Sequence, residues 1–172
     1  MADALTPPLL VAAVVLAIAG FAKLRAPSGA MRALQSLGLP ASPVLVRAFA
    51  VGEVALATWV LIHPSRFVVA ALAAAYASFA LISAALARRH ASCGCFGAAS
   101  PPASAAQASI SATFAAVALV SATAGSLHGF AWLLDRPAWT AVVLVLATAG
   151  SAYGAVVAYV AVPSAWSAWS GR

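Results

Sequence analysis

Residues 44–86 read VLVRAFAVGEVALATWVLIHPSRFVVAALAAAYASFALISAAL, and the reading of this stretch decides the fold. Residues 44–62 and 67–86 each approach the ~20 apolar positions that a helix rising ~1.5 Å per residue needs to cross a bilayer. Pro64 cannot continue a helix and Ser65 favours a turn, so the chain must reverse tightly between the two runs. Working outward, residues 8–24 and 139–162 are spans by the same criterion. Residues 106–124 are uncharged but carry Gln107, Ser109, Ser111, Thr113, Ser121 and Thr123, so this span should turn at least one side toward protein. The sequence therefore predicts an all-α protein, a polytopic transmembrane bundle of four core helices plus a fifth. It reads as one integral membrane domain over residues 1–172, with a loop at 87–105. In the fifth span Gly150 and Gly154 form a GxxxG pair, a spacing that lets a neighbouring helix approach closely.

Composition leads to the same place, since 65% of the 172 residues are hydrophobic, 7% are charged and the mean hydropathy is +1.03. A soluble domain of this size needs far more charge to coat its surface. The net charge of +6 is accordingly a topology signal, with the lipid bilayer as partner and no nucleic acid. If the N-terminus is outside, Lys23, Arg25, Arg32, Arg47, Arg88, Arg89 and Arg172 fall on the cytoplasmic side and only Arg66 and Arg136 outside. The expectation is a multi-pass cell-membrane protein with its N-terminus outside and its C-terminus cytoplasmic. Trp59, Trp132, Trp139, Trp166 and Trp169 sit near helix ends, where an indole prefers the headgroup region, and residues 129–137 suit the same interface. A rival reading makes residues 9–17 a signal peptide with AIA at 17–19 as its cleavage site. Asp3, the lack of a basic residue before the run, and its continuation into Phe21 suit an anchor better.

The chemistry of the chain is concentrated in CGCFG at 93–97, which holds its only two cysteines. Two thiols one residue apart can exchange electrons by closing and opening a disulfide. Ionisation of a thiol is favoured near positive charge and near a helix N-terminus, and Arg88, Arg89 and His90 precede the pair while residues 96–102 lead toward the fourth span. A bond between residues i and i+2 closes a small strained ring, which suits exchange better than stapling, and Gly94 between them must accept an unusual backbone conformation. Other readings of the pair stay open: buried thiols acting as small hydrophobes, a lipidation site, or half of a metal site with His90. No metal is expected, because a tetrahedral site lacks a fourth ligand and His63 and His128 belong to loops on the opposite face. The sequence also shows no phosphate-binding glycine loop, no haem-type histidine pair and no serine nucleophile motif.

Glu53 lies near the middle of the second span, where a carboxylate facing lipid costs a few kcal/mol, so it should face inward. It could serve proton movement or a polar ligand. It could equally be a packing device tied to Lys23 or to the hydroxyls of the fourth span. Arg47, six residues away and about 240° around the helix, is a poor partner.

These residues carry a resemblance. CGCFG in the loop before a membrane helix resembles the cysteine motif of the methylamine utilisation MauE family, relatives of the DoxX-like membrane proteins. GFAKLRAP at 20–27 resembles the family's glycine and lysine after helix one, LGLP at 37–40 its leucine and proline before helix two, and VGEVAL at 51–56 its carboxylate within helix two. The similarity covers about the first 120 residues. Relatives tend to show basic or asparagine positions after the pentapeptide, where this chain has AASPPASAAQASIS at 98–111. The resemblance implies a helical bundle engaged in disulfide chemistry through Cys93 and Cys95, with Gly94, Phe96, Gly97, Arg88, Arg89, Glu53 and Lys23 in support. It implies a thioredoxin-fold partner and maturation of the disulfide-rich small subunit of methylamine dehydrogenase. With one cysteine pair, a second redox partner is needed, such as a quinone, another protein, or a loop exposed alternately at each face. Charge counting places the loop in the cytoplasm while that client lies outside, so either the loop folds into the bundle or the orientation is inverted. A non-catalytic assembly factor and a quinone-linked DoxX-like component are the alternatives from other classes.

Overall fold

A computed structural model describes residues 2–96, 102–124 and 127–169. Gly97 and Arg172, both singled out above, lie outside the described residues. The chain forms α1 (Ala2–Arg25), α2 (Ser28–Ser36), α3 (Pro43–Ile62), α4 (Arg66–Arg88), α5 (Ala105–Ala124), α6 (Ala131–Leu134) and α7 (Ala138–Trp169). Five stretches are long and apolar enough to cross a membrane: Ala4–Arg25, Pro43–Ile62, Arg66–Arg88, Ala105–Ala124 and Ala138–Val162. The protein is thus an all-helical, multi-pass membrane bundle.

Local sequence sets the boundaries. Ser42 caps α3 by accepting from Leu45 N at 3.1 Å with Pro43 at the first turn, and Ser65 caps α4 by accepting from Val68 N at 3.4 Å. The Ser65 cap ends the reversal at 63–65, which begins where α3 stops at Ile62. α1 starts before the expected Pro8, so Pro7 and Pro8 lie inside it and each lacks an N–H to donate to the preceding turn. The short helix α2 was not anticipated. It ends at Gly38, whose φ of 76° lets Leu39 N reach back to Leu34 O at 3.0 Å, which gives LGLP its local meaning as a helix stop.

α1 is the central helix and packs against α3, α5 and α7, while α4 packs against α5 and α3. Gly20 permits the α1–α3 contact, because a Cβ there would lie 2.8 Å from Val54 Cγ2 and 3.0 Å from Ala50 O. Leu9, Leu16, Val60, Leu72 and Tyr76 form the largest buried cluster, and the Tyr76 hydroxyl donates to Ala12 O at 2.6 Å. On α5, Gln107, Ser111, Ala118 and Ser121 are buried on one face, whereas Ser109, Thr113 and Thr123 point outward. Thr113 and Thr123 donate to carbonyls of their own helix. Gly150 and Gly154 of α7 face open space, so among the described residues this GxxxG brings no helix close.

With five spans, the ends of α1 and α4, the start of α3 and α5, α2 and the cysteine loop share one end of the bundle. At the other end, Phe130 N donates to Leu61 O at 2.6 Å and joins the 127–137 segment to the α3–α4 turn.

Candidate functional site

The cysteine loop is built by closing its own base. α4 stops in a turn with His90 at φ 53°, Ala91 N donating to Leu86 O at 3.1 Å and His90 N to Ala87 O at 3.2 Å. His90 is exposed and serves this turn. Ala103 N then donates to Ala91 O at 2.8 Å, and Ser92 bridges to Pro102, so the two ends of the loop meet. Ser104 and Gln107 cap α5 reciprocally: Gln107 N donates to Ser104 Oγ at 3.3 Å and Ser104 N to Gln107 Oε1 at 3.2 Å. Gln107 Nε2 also donates to Tyr159 O at 2.7 Å, which ties α7 to the same end.

The loop folds inward. Cys93 and Cys95 are joined as a disulfide with their Cα atoms 5.4 Å apart. Cys93 is buried among Ala33, Leu86 and Ala103, with its sulfur 3.4 Å from Ser83 Oγ, while Cys95 is half-buried. Gly94 between them has φ 66°, and its backbone lies so close to Gly29 and Ala30 of α2 that a Cβ would collide with them. A side chain is therefore opposed both by backbone conformation and by space. Phe96 inserts between spans, its ring 5.4 Å from that of Tyr159 and next to Val11, Val15 and Phe114.

The charged groups divide differently from the order in which they appear along the chain. Arg88 and Arg89 are exposed, and Arg89 donates through Nη1 to Ser36 O, at the carbonyl end of α2, where a cation is favoured. The cation that shares a cavity wall with the sulfurs is Lys23. Its ammonium donates to both oxygens of Glu53, at 2.6 and 2.7 Å, with side chains only 9% and 12% exposed, and lies 4.9 Å above the Phe79 ring. The hydroxyls of α5 are engaged elsewhere, Ser111 with the Tyr159 hydroxyl at 2.8 Å and Ser121 with Val117 O at 2.8 Å.

Lys23, Glu53, Cys93 and Cys95 line one cavity of about 640 Å³ whose remaining wall, from α2, α3 and α4, is almost wholly apolar. A second cavity of about 20 Å³, room for about one water, touches Lys23, Cys95, Ser111 and Tyr159. The sequence reading did not find Ser83, Phe79, Tyr159 or Gly29. Each meets the site across a tertiary contact that no local spacing announces. Among the described residues no group of three or more His, Cys, Asp or Glu side chains is placed to hold a metal.

The arrangement is that of a multi-pass membrane protein whose single cysteine pair sits in a loop folded into the bundle, facing a cavity that also holds a buried ion pair. A family model, Methylamine utilisation protein MauE, matches residues 3–127, which include α1 to α5 and the cysteine loop, and the chain belongs to this family. No curated protein and no solved structure matches it.

Proposed function

We propose that this methylamine utilisation-related membrane protein is a thiol-disulfide exchange protein in which Cys93 and Cys95 cycle between dithiol and disulfide. The observation that carries the reading is the unequal burial of a bonded pair: Cys95 half-accessible, Cys93 buried against a hydroxyl. A thiolate of a thioredoxin-fold partner attacks Cys95 Sγ; the Cys93–Cys95 bond breaks and its electron pair leaves on Cys93, where the Ser83 hydroxyl can donate a hydrogen bond. The partner's second thiol then attacks the mixed disulfide and releases Cys95. The partner ends oxidised by two electrons, and this protein holds a dithiol. Running in either direction, the exchange suits the maturation of a disulfide-containing client. Basic residues at the cysteine-loop end, Lys23, Arg25, Arg32, Arg47, Arg88 and Arg89 against Arg66 and Arg136, support a cytoplasmic loop and an external N-terminus.

Mixed-disulfide trapping in intact membranes tests this. The Cys93→Ser variant, keeping Cys95, should capture a single-cysteine thioredoxin activated as its mixed disulfide with thionitrobenzoate, releasing that thiolate, while Cys95→Ser should capture it about tenfold less, because the remaining thiol is buried. A pair that stays in one redox state under both oxidant and reductant would overturn the proposal. A Cys93→Ser, Cys95→Ser double variant that still supports growth on methylamine would assign the protein a scaffolding role instead.

A further inference from the structure

The cavity beside the sulfurs opens in an unusual place for a site that serves a water-soluble partner. Among its lining residues Phe49 and Gly52 of α3 and Ser78 of α4 are exposed, so the cavity opens on the surface of these two helices. Gly52 is the tenth of the 20 residues of α3 and Ser78 the thirteenth of the 23 of α4, so the mouth lies at the middle of both spans. At that depth the surroundings are hydrocarbon. A Cβ at Gly52 would meet nothing within 4 Å among the described residues, so the cavity wall is open at that point. An occupant must therefore arrive dissolved in lipid. Once inside, it meets apolar walls such as Leu45, Leu56 and Ile82, and at the far side a buried ammonium, a carboxylate and the two sulfurs. The volume of about 640 Å³ falls within the ~300–1,000 Å³ of typical small-molecule sites.

The electron count narrows the chemistry. The chain has two cysteines and no second pair to which electrons could pass. Whatever reoxidises the Cys93–Cys95 dithiol must accept two electrons and two protons, and this cavity gives it a route to both sulfurs. We infer that the cavity takes a quinone ring, entering sideways between α3 and α4, and that the dithiol reduces it to the quinol. This rests on the thiol-exchange reading. In the step, two S–H bonds break and the S–S bond forms, while the two ring carbonyls gain two electrons and two protons and become hydroxyls. Lys23 is the donor placed to hydrogen-bond a carbonyl oxygen, and Glu53 the group placed to carry a proton beside it. An oxidised carrier dissolved in the membrane supplies what the single cysteine pair lacks.

The test uses the full chain in nanodiscs with a short-chain ubiquinone and a short-chain menaquinone as probes. Reduced protein should convert one equivalent of one of these quinones to quinol, read from the absorbance of the ring. Gly52→Leu places a side chain in the mouth where the structure has room for it. It should slow quinone reduction by at least about tenfold while leaving exchange with thioredoxin unchanged. Binding of the quinone to the Cys93→Ser, Cys95→Ser variant, measured with a photoreactive ring, tests the cavity without the thiols. If the wild type exchanges with thioredoxin but leaves both quinones oxidised, the quinone inference fails and thiol exchange stands. If quinone labels the cysteine-free variant but the wild-type pair never exchanges with thioredoxin, the cavity assignment holds and the exchange reading fails. An unchanged quinone rate in Gly52→Leu, with the variant folded by its thermal melt, refutes lateral entry between α3 and α4.

Discussion

Removing Lys23 alone from the Lys23–Glu53 pair should cost far more than removing both members, and removing Glu53 alone should cost less than removing Lys23. Both side chains are about nine-tenths buried, and the ammonium satisfies both carboxylate oxygens. Breaking a buried pair from one side typically costs about 3–5 kcal/mol, because the other charge is left uncompensated. The positions of the two groups divide that range. Lys23 lies in the last turn of α1, so an orphaned ammonium can swing along its four-carbon stem toward the headgroups. Glu53 sits in the middle of α3 on a short stem and cannot. Lys23→Met should therefore destabilise by about 3 kcal/mol and Glu53→Gln by about 1–2 kcal/mol. The double variant should lose about 1 kcal/mol, a coupling of about 3 kcal/mol between the sites. Unfolding of purified protein by increasing SDS in mixed micelles, followed by tryptophan fluorescence, gives all four stabilities. Single losses that add to the double loss within ~0.5 kcal/mol would show that the two charges do not depend on one another, and the reasoning would fail.

Gly94→Ala should displace the cysteine loop from α2, since left-handed backbone alone costs an alanine about 1–2 kcal/mol and the new Cβ collides with Gly29. The measured sign is faster alkylation of reduced Cys93, and an unchanged rate would count against the close approach. Gly20→Leu should destabilise the bundle by about 1–3 kcal/mol by forcing α1 from α3, seen as a lower thermal midpoint in detergent. Tyr159→Phe leaves the Ser111 hydroxyl buried without its partner, at a cost of about 1–3 kcal/mol, and should speed hydrogen exchange in α7 more than in α4.

The spans were legible because hydrocarbon imposes a length and a polarity that composition displays directly. The reversal at Pro64 and Ser65 and the inward face of α5 follow from chemistry visible in a single stretch. Gln107, Ser111, Ala118 and Ser121 share a side because steps of 4, 7 and 3 residues return to the same face of a helix. The helix α2 was not legible, since nine residues of SGAMRALQS carry too few apolar positions to stand out between two membrane spans. The site was readable only as a set of residue types. That Lys23 rather than an α5 hydroxyl meets Glu53 depends on how closely Gly20 lets α1 approach α3. That Arg89 reaches Ser36 depends on a helix the sequence did not reveal, and that Lys23 lines the same cavity as the sulfurs depends on tertiary packing.

A single cysteine pair at the basic end of the bundle conflicts with a client on the far side only if electrons must be delivered where the loop emerges. The loop does not simply emerge: Phe96 anchors it between α1, α5 and α7, and the sulfurs line a cavity that also reaches Gly52 and Ser78, midway along α3 and α4. Cys95 is the more exposed of the two, while Cys93 is buried with its sulfur beside Ser83. In the proposed scheme one pair has two approaches, water on one side and lipid on the other, and neither requires the loop to cross. Labelling separates these approaches. After mild reduction, an impermeant maleimide should modify Cys95 only from the face that bears Arg88 and Arg89, and Cys93 should yield chiefly to a small, membrane-permeant reagent. Modification of Cys95 from the face that carries Arg66 and Arg136 would mean that the loop traverses the bundle, and the two-approach account would have to be abandoned.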